Sequence, residues 1–283
     1  MKIAFVDSGV GGLLFAIDMI SKARTIYNLD GFEFFHVSDY SNVPYGLKSS
    51  DKIFSLTKNL LNVSLKYNAN KIVVACNTAC TVLDNNITSE FKLKGVDLVN
   101  IIQHSVQKTF QELSGVEEIN LLLLATKRTV QSKKYQEGFV EYGKKIGKKI
   151  TVIQHYPVEW ESEIEANFAN NNPDQMVEKE LSHIHELMGD EKFQTINSVA
   201  MFCTHYPILQ SQIKSYFDKH SKNSVELIAQ GGLFFDELKT DKGSVSKDAK
   251  ITINSLDAHN AKIKIPDVVL EYAKKMNCDI KLT

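Results

Sequence analysis

The sequence predicts an α/β protein of two mainly parallel-sheet domains, and three observations carry that prediction. Short apolar runs of strand length alternate with longer stretches of helical spacing, the pattern of parallel strands joined by crossover helices. At 283 residues the chain is long enough for two medium domains. One arrangement also occurs twice: a strand running into a polar loop, then a cysteine at the end of a later strand, from Asp7 to Cys76 in one half and from Thr126 to Cys203 in the other.

Taken in order, Lys2-Ile3-Ala4-Phe5-Val6 has a buried-strand pattern and enters Asp7-Ser8-Gly9-Val10-Gly11-Gly12, after which Leu13 to Ile20 takes up helical spacing. Glycines here allow a ligand close to the backbone, and the N–H groups at the following helix start favour an anionic group. The order Gly-x-Gly-Gly meets neither the dinucleotide nor the P-loop fingerprint. Phe32 to His36 predicts a second strand, and Ser38 to Gly46 a long loop stiffened by Pro44 and Gly46. A helix from about Ser49 to Tyr67 leads to the strand Lys71-Ile72-Val73-Val74-Ala75, followed at once by Cys76-Asn77-Thr78-Ala79.

After the apolar run Leu98 to Ile102 a second series begins. Ile119 to Leu124 predicts a strand, and Thr126 and Thr129 hold the place that Asp7 and Ser8 hold in the first series. Ile150 to Ile153 is another strand, followed by His155 to Glu165 with its alternating glutamates, which most often mark a solvated helix start. A polar loop over 167–175 and a helix carrying His183 and His185, both expected to face solvent, precede the strand that ends in Cys203-Thr204-His205-Tyr206-Pro207. The tail predicts a strand and loop from Leu227 to Gly232, a polar stretch from Lys239 to Lys250 and possible strands at Ile251 to Asn254 and Ile263 to Ile265. A last helix from Pro266 to Met276 has Cys278 just past its end.

Lysine plus arginine number 33 against 34 aspartate plus glutamate. A balance this even argues against a nucleic-acid or membrane-surface protein, since either calls for a basic face. Four cysteines, Cys76, Cys80, Cys203 and Cys278, do not make a disulfide framework, and no basic-then-apolar leader precedes them. The longest apolar runs fall short of the ~20 residues that span a bilayer. A soluble, cytoplasmic enzyme of small molecules is the expectation.

The chemistry centres on Cys203. A thiol reacts as the thiolate, with an ordinary pKa of about 8.5 that falls beside a cationic imidazole, and His205 can supply one. Taken alone, the pair reads first as a small buried hydrophobe beside a histidine. Cys76 changes the balance, because catalytic groups in open α/β sheets gather past the carboxyl ends of strands. Two strand-end cysteines, each with hydroxyl or amide neighbours, suggest two thiols facing one site. A rival is tetrahedral zinc held by Cys76, Cys80, Cys203 and His205; against it, Cys80 falls four residues past a strand end, and Asn77 and Thr78 are better used as ligand-binding groups. No metal is expected.

The motifs DSGVGG, PYG, VVACNTA, ATKRTVQSKKY and FCTHYPIL, in this order, resemble those of the cofactor-independent glutamate racemases of the aspartate/glutamate racemase superfamily, over nearly the whole chain. The resemblance implies two pseudo-symmetric α/β domains with the active site in the cleft between them. Residues 1–98 with 212–283 would form the first domain and 99–211 the second. It implies no cofactor, glutamate as substrate, a homodimer, and supply of D-glutamate for peptidoglycan synthesis. Cys76 and Cys203 match the two catalytic cysteines, acting on the D and L enantiomers respectively; Asp7 matches the acid near the first and His205 the histidine near the second. Ser8, Asn77, Thr78, Thr126, Thr129 and Thr204 match positions that hold the substrate's carboxylates and ammonium, and Pro44, Tyr45 and Gly46 the loop lining its side-chain carboxylate.

The pattern departs from the family in three places. Ile101-Ile102-Gln103-His104-Ser105 stands where the family has Val-Ile-Glu-Pro-Gly, and Ala229-Gln230-Gly231 replaces Asp-Ser/Pro-Gly. The stretch supplying a glutamate near the second cysteine is His155-Tyr156-Pro157-Val158-Glu159-Trp160-Glu161, which leaves Glu159 and Glu161 as candidates, with Glu161 placed in the catalytic set. A divergent member acting on another acidic amino acid such as aspartate, and a binding relative without turnover, are the alternatives.

Overall fold

The computed structural model describes residues 1–239, 251–259 and 263–283. Most of the predicted polar stretch from Lys239 to Lys250 lies outside them. The chain begins with β1 (Lys2–Val6), α1 (Gly11–Ala23), β2 (Glu33–Ser38), α2 (Ser50–Lys66), β3 (Lys71–Val74), α3 (Asn77–Cys80), α4 (Asn85–Leu93) and β4 (Asp97–Asn100). Next come α5 (Ile101–Glu112), β5 (Glu118–Leu124), α6 (Lys127–Gln131), α7 (Lys134–Ile146), β6 (Lys149–His155), α8 (Trp160–Glu165), α9 (Pro173–Met188), α10 (Asp190–Phe193) and β7 (Ser198–Met201). The last elements are α11 (Gln210–His220), β8 (Glu226–Ala229), α12 (Gln230–Leu233), β9 (Ile251–Asp257), α13 (Asp267–Lys275) and β10 (Cys278–Leu282).

The strands form two sheets, ordered β10-β9-β2-β1-β3-β4 and β6-β5-β7-β8, and every pairing is parallel. Strands covered on both faces read as continuous apolar runs, as Ile3 to Val6 and Leu121 to Leu124 do, all fully buried. Along β5 the alternation divides two cores. Leu121 and Leu123 join the core of the first sheet, while Leu122 and Leu124 pack with Trp160, Leu181 and Ile213 on the other face. The first core therefore runs unbroken across the junction of the two domains, through Phe110, Tyr135, Phe139 and Phe202.

Several elements differ from the sequence expectation. The apolar run Leu98 to Ile102 is split, because the Asn100 side chain accepts from the Ile102 N–H and starts α5 there. Ile263 to Ile265 forms no strand, whereas Cys278, expected past the last helix, opens the edge strand β10. His183 is exposed as expected, but His185 stacks on Phe193, ring centroids 3.9 Å apart. The first domain was expected to resume at residue 212, yet β8 pairs with β7 in the second sheet, so the chain returns to the first sheet only after Ala229. No helix among the described residues is long and apolar enough to cross a membrane.

Helix α1 is buried almost all round, covered by its sheet and by α12 and α13. A Cβ on Gly231 would meet the Phe15 carbonyl oxygen at 2.4 Å, so α12 lies flush on it. Asp18 is a charged residue among the buried ones of this helix. The Tyr272 hydroxyl of α13 donates to its Oδ1 at 2.5 Å, while Oδ2 has no partner among the described residues. Burial pushes its pKa up to about 7. Because the folded value lies above the unfolded one, Asp18 contributes stability that is full below pH ~4 and lost as pH rises through about 7. The expected result for Asp18→Asn is a flatter dependence of the melting temperature on pH between 4 and 8, measured by thermal unfolding.

Candidate active site

The loops after β1, β3, β5 and β7 all open at the carboxyl ends of adjacent parallel strands, β1 beside β3 and β5 beside β7. This brings Asp7, Cys76, Thr126 and Cys203 to one cleft between the domains. The local turns repeat. Cys76 is the N-cap of α3 and its Sγ accepts from the Ala79 N–H at 3.4 Å; Thr126 is the N-cap of α6 and its Oγ1 accepts from the Thr129 N–H at 3.4 Å. A short polar side chain at a helix start satisfies an N–H that the helix cannot. The repeat of the two halves lies in strand order instead, β2-β1-β3-β4 in one sheet and β6-β5-β7-β8 in the other, which sets Cys76 after β3 and Cys203 after β7 at corresponding places.

Both thiols are buried and line the same small inner cavity, Cys76 with its Sγ 3.8 Å from Ser8 Oγ and Cys203 with its Sγ 3.6 Å from His205 Nδ1. Each has its own titratable neighbour. Beside Cys76, Asp7 Oδ1 accepts from Ser8 Oγ and the Gly9 N–H, both at 3.2 Å, and Oδ2 accepts from Thr204 Oγ1 at 3.0 Å across the cleft. Beside Cys203, the other imidazole nitrogen of His205 lies 2.8 Å from Glu165 Oε1, which also accepts from the Val10 N–H at 2.8 Å. Burial pushes both thiols up, and the Asp7 charge adds to this at Cys76 while the hydrogen bond from His205 offsets it at Cys203. Asp7 is also raised by burial, partly offset by His205. Burial alone would strip His205 of its charge, but its bonds to Cys203 and Glu165 prevail and hold it well above its ordinary value.

The remaining predicted residues divide between the inner cavity and the outer cleft. Ser8, Asn77, Thr78, Thr126 and Thr204 line the inner cavity, where Thr78 Oγ1 and Thr126 Oγ1 are 3.0 Å apart across the domains. Thr129 sits behind Thr126, with hydroxyls 2.9 Å apart. Pro44 and Gly46 line an outer cleft of about 650 Å³, but Tyr45 is buried and its hydroxyl donates to Asp39 Oδ2 at 2.8 Å. The inner cavity holds about 10 Å³, room for at most one water. Cys80, the rival zinc ligand, instead donates to the Val74 carbonyl at 3.2 Å, inside the core.

Sequence reasoning missed two parts of the site. Glu165, outside the two candidates, is the glutamate bonded to His205; of the candidates for the glutamate near the second cysteine, Glu159 is exposed and Glu161, from the same helix as Glu165, lines the inner cavity with Cys203. Residues four apart on a helix share a face, and that spacing of Glu161 and Glu165 was the available signal. Glu163, on the other face, accepts from Asn170.

The second part is a buried network behind Asn77. Asn77 Nδ2 donates to Gln230 Oε1 at 2.6 Å, and Tyr135 OH donates to Asn77 Oδ1 at 2.6 Å. Gln230 Nε2 reaches Ser105 Oγ and Tyr135 OH, both at 2.7 Å. Two departures from the family pattern, at Ser105 and Gln230, thus meet each other. Gln230→Leu leaves three buried polar groups short of a partner and is expected to cost about 2–4 kcal/mol in urea unfolding.

Paired thiols at strand ends, one beside a carboxylate and one beside an imidazole, in a cleft between two parallel α/β domains, define an amino-acid racemase. No family model matches the chain. The glutamate racemase of Clostridium novyi is 30% identical over 281 residues, covering 95% of this chain and 97% of the relative. That of Thermoanaerobacter sp. (strain X514) is 29% identical over 222 residues, 78% of this chain and 74% of the relative. Among solved structures, the glutamate racemase of Campylobacter jejuni superposes with a TM-score of 0.70 at 22% identity, covering 98% of each chain. That of Francisella tularensis, in complex with D-glutamate, gives 0.66 at 20% identity, over 100% of this chain and 96% of the other. The chain belongs to the glutamate racemase family.

Proposed function

We propose that this protein interconverts L- and D-glutamate without a cofactor, with Cys76 and Cys203 as acid and base on opposite faces of the α-carbon. The observation that carries this is the pair of buried thiols on one cavity, each with its own titratable partner. Inverting a stereocentre needs a base on one face and an acid on the other. In the L-to-D direction the Cys203 thiolate takes the α-proton, the electron pair stays on the α-carbon and its carboxylate, and the Cys76 thiol delivers a proton to the opposite face. The reverse direction exchanges the roles, so the enzyme ends each turnover with its two thiols in swapped protonation states.

The environment suits this chemistry. The α-proton is a very weak acid, and thiolates whose pKa burial has raised are correspondingly stronger bases. Asp7 and His205 are placed to reset the protonation of Cys76 and Cys203 between turnovers, and Glu165 holds the imidazole in place. Hydroxyls of Ser8, Thr78, Thr126 and Thr204 and the Asn77 amide would replace their mutual hydrogen bonds by bonds to the substrate and stabilise charge as it develops. Pro44, Tyr45 and Gly46 would offer backbone groups to the side-chain carboxylate, and Thr129 would orient Thr126. A homodimer, a cytoplasmic location and supply of D-glutamate for peptidoglycan belong to the same proposal.

The test is circular dichroism of L-glutamate, and separately of D-glutamate, incubated with reduced protein, a chelator and no pyridoxal phosphate. Decay of the signal toward zero from both sides is expected. A signal that stays constant from both enantiomers would sink the reading, and decay with aspartate in place of glutamate would reassign the substrate.

A further inference from the structure

Among the described residues three carboxylates surround the cavity of the two thiols, and two are fully engaged. Asp7 accepts from Ser8, Gly9 and Thr204, and Glu165 accepts from Val10 and holds His205. Glu161 lines both the inner cavity and the outer cleft, yet no described residue donates a hydrogen bond to its carboxylate or pairs with it as an ion. The two cations of the outer cleft are spent elsewhere: Arg128 on the Lys48 carbonyl, Ser50 and Thr81, and Lys127 over the Tyr156 ring. Glu161 lines the same inner cavity as both thiols. Burial raises its carboxyl, and the nearby His205 cation partly offsets this and favours the carboxylate.

Glutamate carries two carboxylates and one ammonium. A lone carboxylate in the wall of its cavity opposes binding if it faces either carboxylate and favours binding only if it faces the ammonium. We propose that Glu161 receives the substrate's α-ammonium group and so makes a free amino group a condition of tight binding. This rests on the glutamate reading above and deepens it by naming the residue that selects amino acids over plain dicarboxylates. The ammonium in turn screens the thiolates from the Glu161 charge, so that charge is offset only when a proper substrate is bound.

The test is titration calorimetry of wild type, Glu161→Gln and Glu161→Asp with D-glutamate and with glutarate, the same dicarboxylate without the amino group. The enantiomers of glutamate are isoenergetic, so racemisation adds no reaction heat. In the wild type D-glutamate is expected to bind more tightly than glutarate. Glu161→Gln is expected to cut that preference by about 10- to 100-fold, weakening glutamate while glutarate holds or gains, and Glu161→Asp to keep part of it.

An unchanged ratio in Glu161→Gln overturns the proposal, whether both ligands bind as before, as they would if a protonated Glu161 donated to a carboxylate, or both bind more tightly, as they would if it only repelled. Should the amide variant not fold, Glu161→Ala gives the same comparison. Wild type that racemises neither enantiomer and binds neither ligand would instead overturn the glutamate reading, and this inference with it.

Discussion

Cys203→Ser and Cys76→Ser are each expected to lower kcat/KM by about 10³-fold from both L- and D-glutamate. On the proposed mechanism each direction uses both sulfurs, one to take the α-proton and the other to return one, so loss of either slows both directions; because the enantiomers are isoenergetic, kcat/KM falls by the same factor from each side. A serine hydroxyl fits the space but cannot act as a base at neutral pH, because its pKa lies far above that of even these raised thiols. Initial rates by circular dichroism from each enantiomer, with the far-ultraviolet spectrum to confirm the fold, measure the effect. Full retention of activity by either variant would rule out the two-thiol mechanism.

Glu165→Gln should give the next largest effect, a fall in kcat of about 10²-fold together with a displaced pH profile. His205 is fully buried, and its elevated pKa depends on Cys203 and on Glu165, 2.8 Å from its ring. The charged imidazole contributes stability that is complete below its ordinary value of about 6.5 and is lost as pH rises through the higher folded value. Removing the Glu165 charge lowers that folded value. The alkaline limb of kcat/KM should therefore move to lower pH, and the melting temperature should begin to fall at lower pH than in the wild type. An amide still donates and accepts hydrogen bonds, so a variant with an unmoved profile would show that Glu165 acts through hydrogen bonding and packing rather than through its charge.

These two variants probe parts of the site that differ in how they were found. The cysteines were legible because each directly follows an apolar run, and the carboxyl-end rule for parallel sheets turns a position in sequence into a position in space. Asp7, Ser8 and Thr126 follow from the same rule. Glu165 was not legible, because its bonds run to Val10 and His205, 155 and 40 residues away. Of its neighbours, Glu159 precedes the short helix and Glu163 lies on its other face, while Glu161 shares its face, so spacing alone offers both and only contacts distant in sequence separate them. The Gln230, Ser105 and Asn77 network was hidden for the same reason: each residue alone is an ordinary polar side chain, and only folding brings Gln230 within 2.7 Å of both Asn77 and Ser105.

By itself the sequence determined the class of fold, the two series of strands and helices, the paired thiols and the family they resemble, since all of these reside in local periodicity and in residues fixed to strand ends. Tertiary structure alone decided where the chain recrosses between domains, that β9 and β10 extend the first sheet, which glutamate holds His205 and which one lines the inner cavity. Those outcomes depend on the order in which strands dock and the rotation at which a helix packs. Both are set by contacts between segments far apart in the chain, which no window of sequence contains.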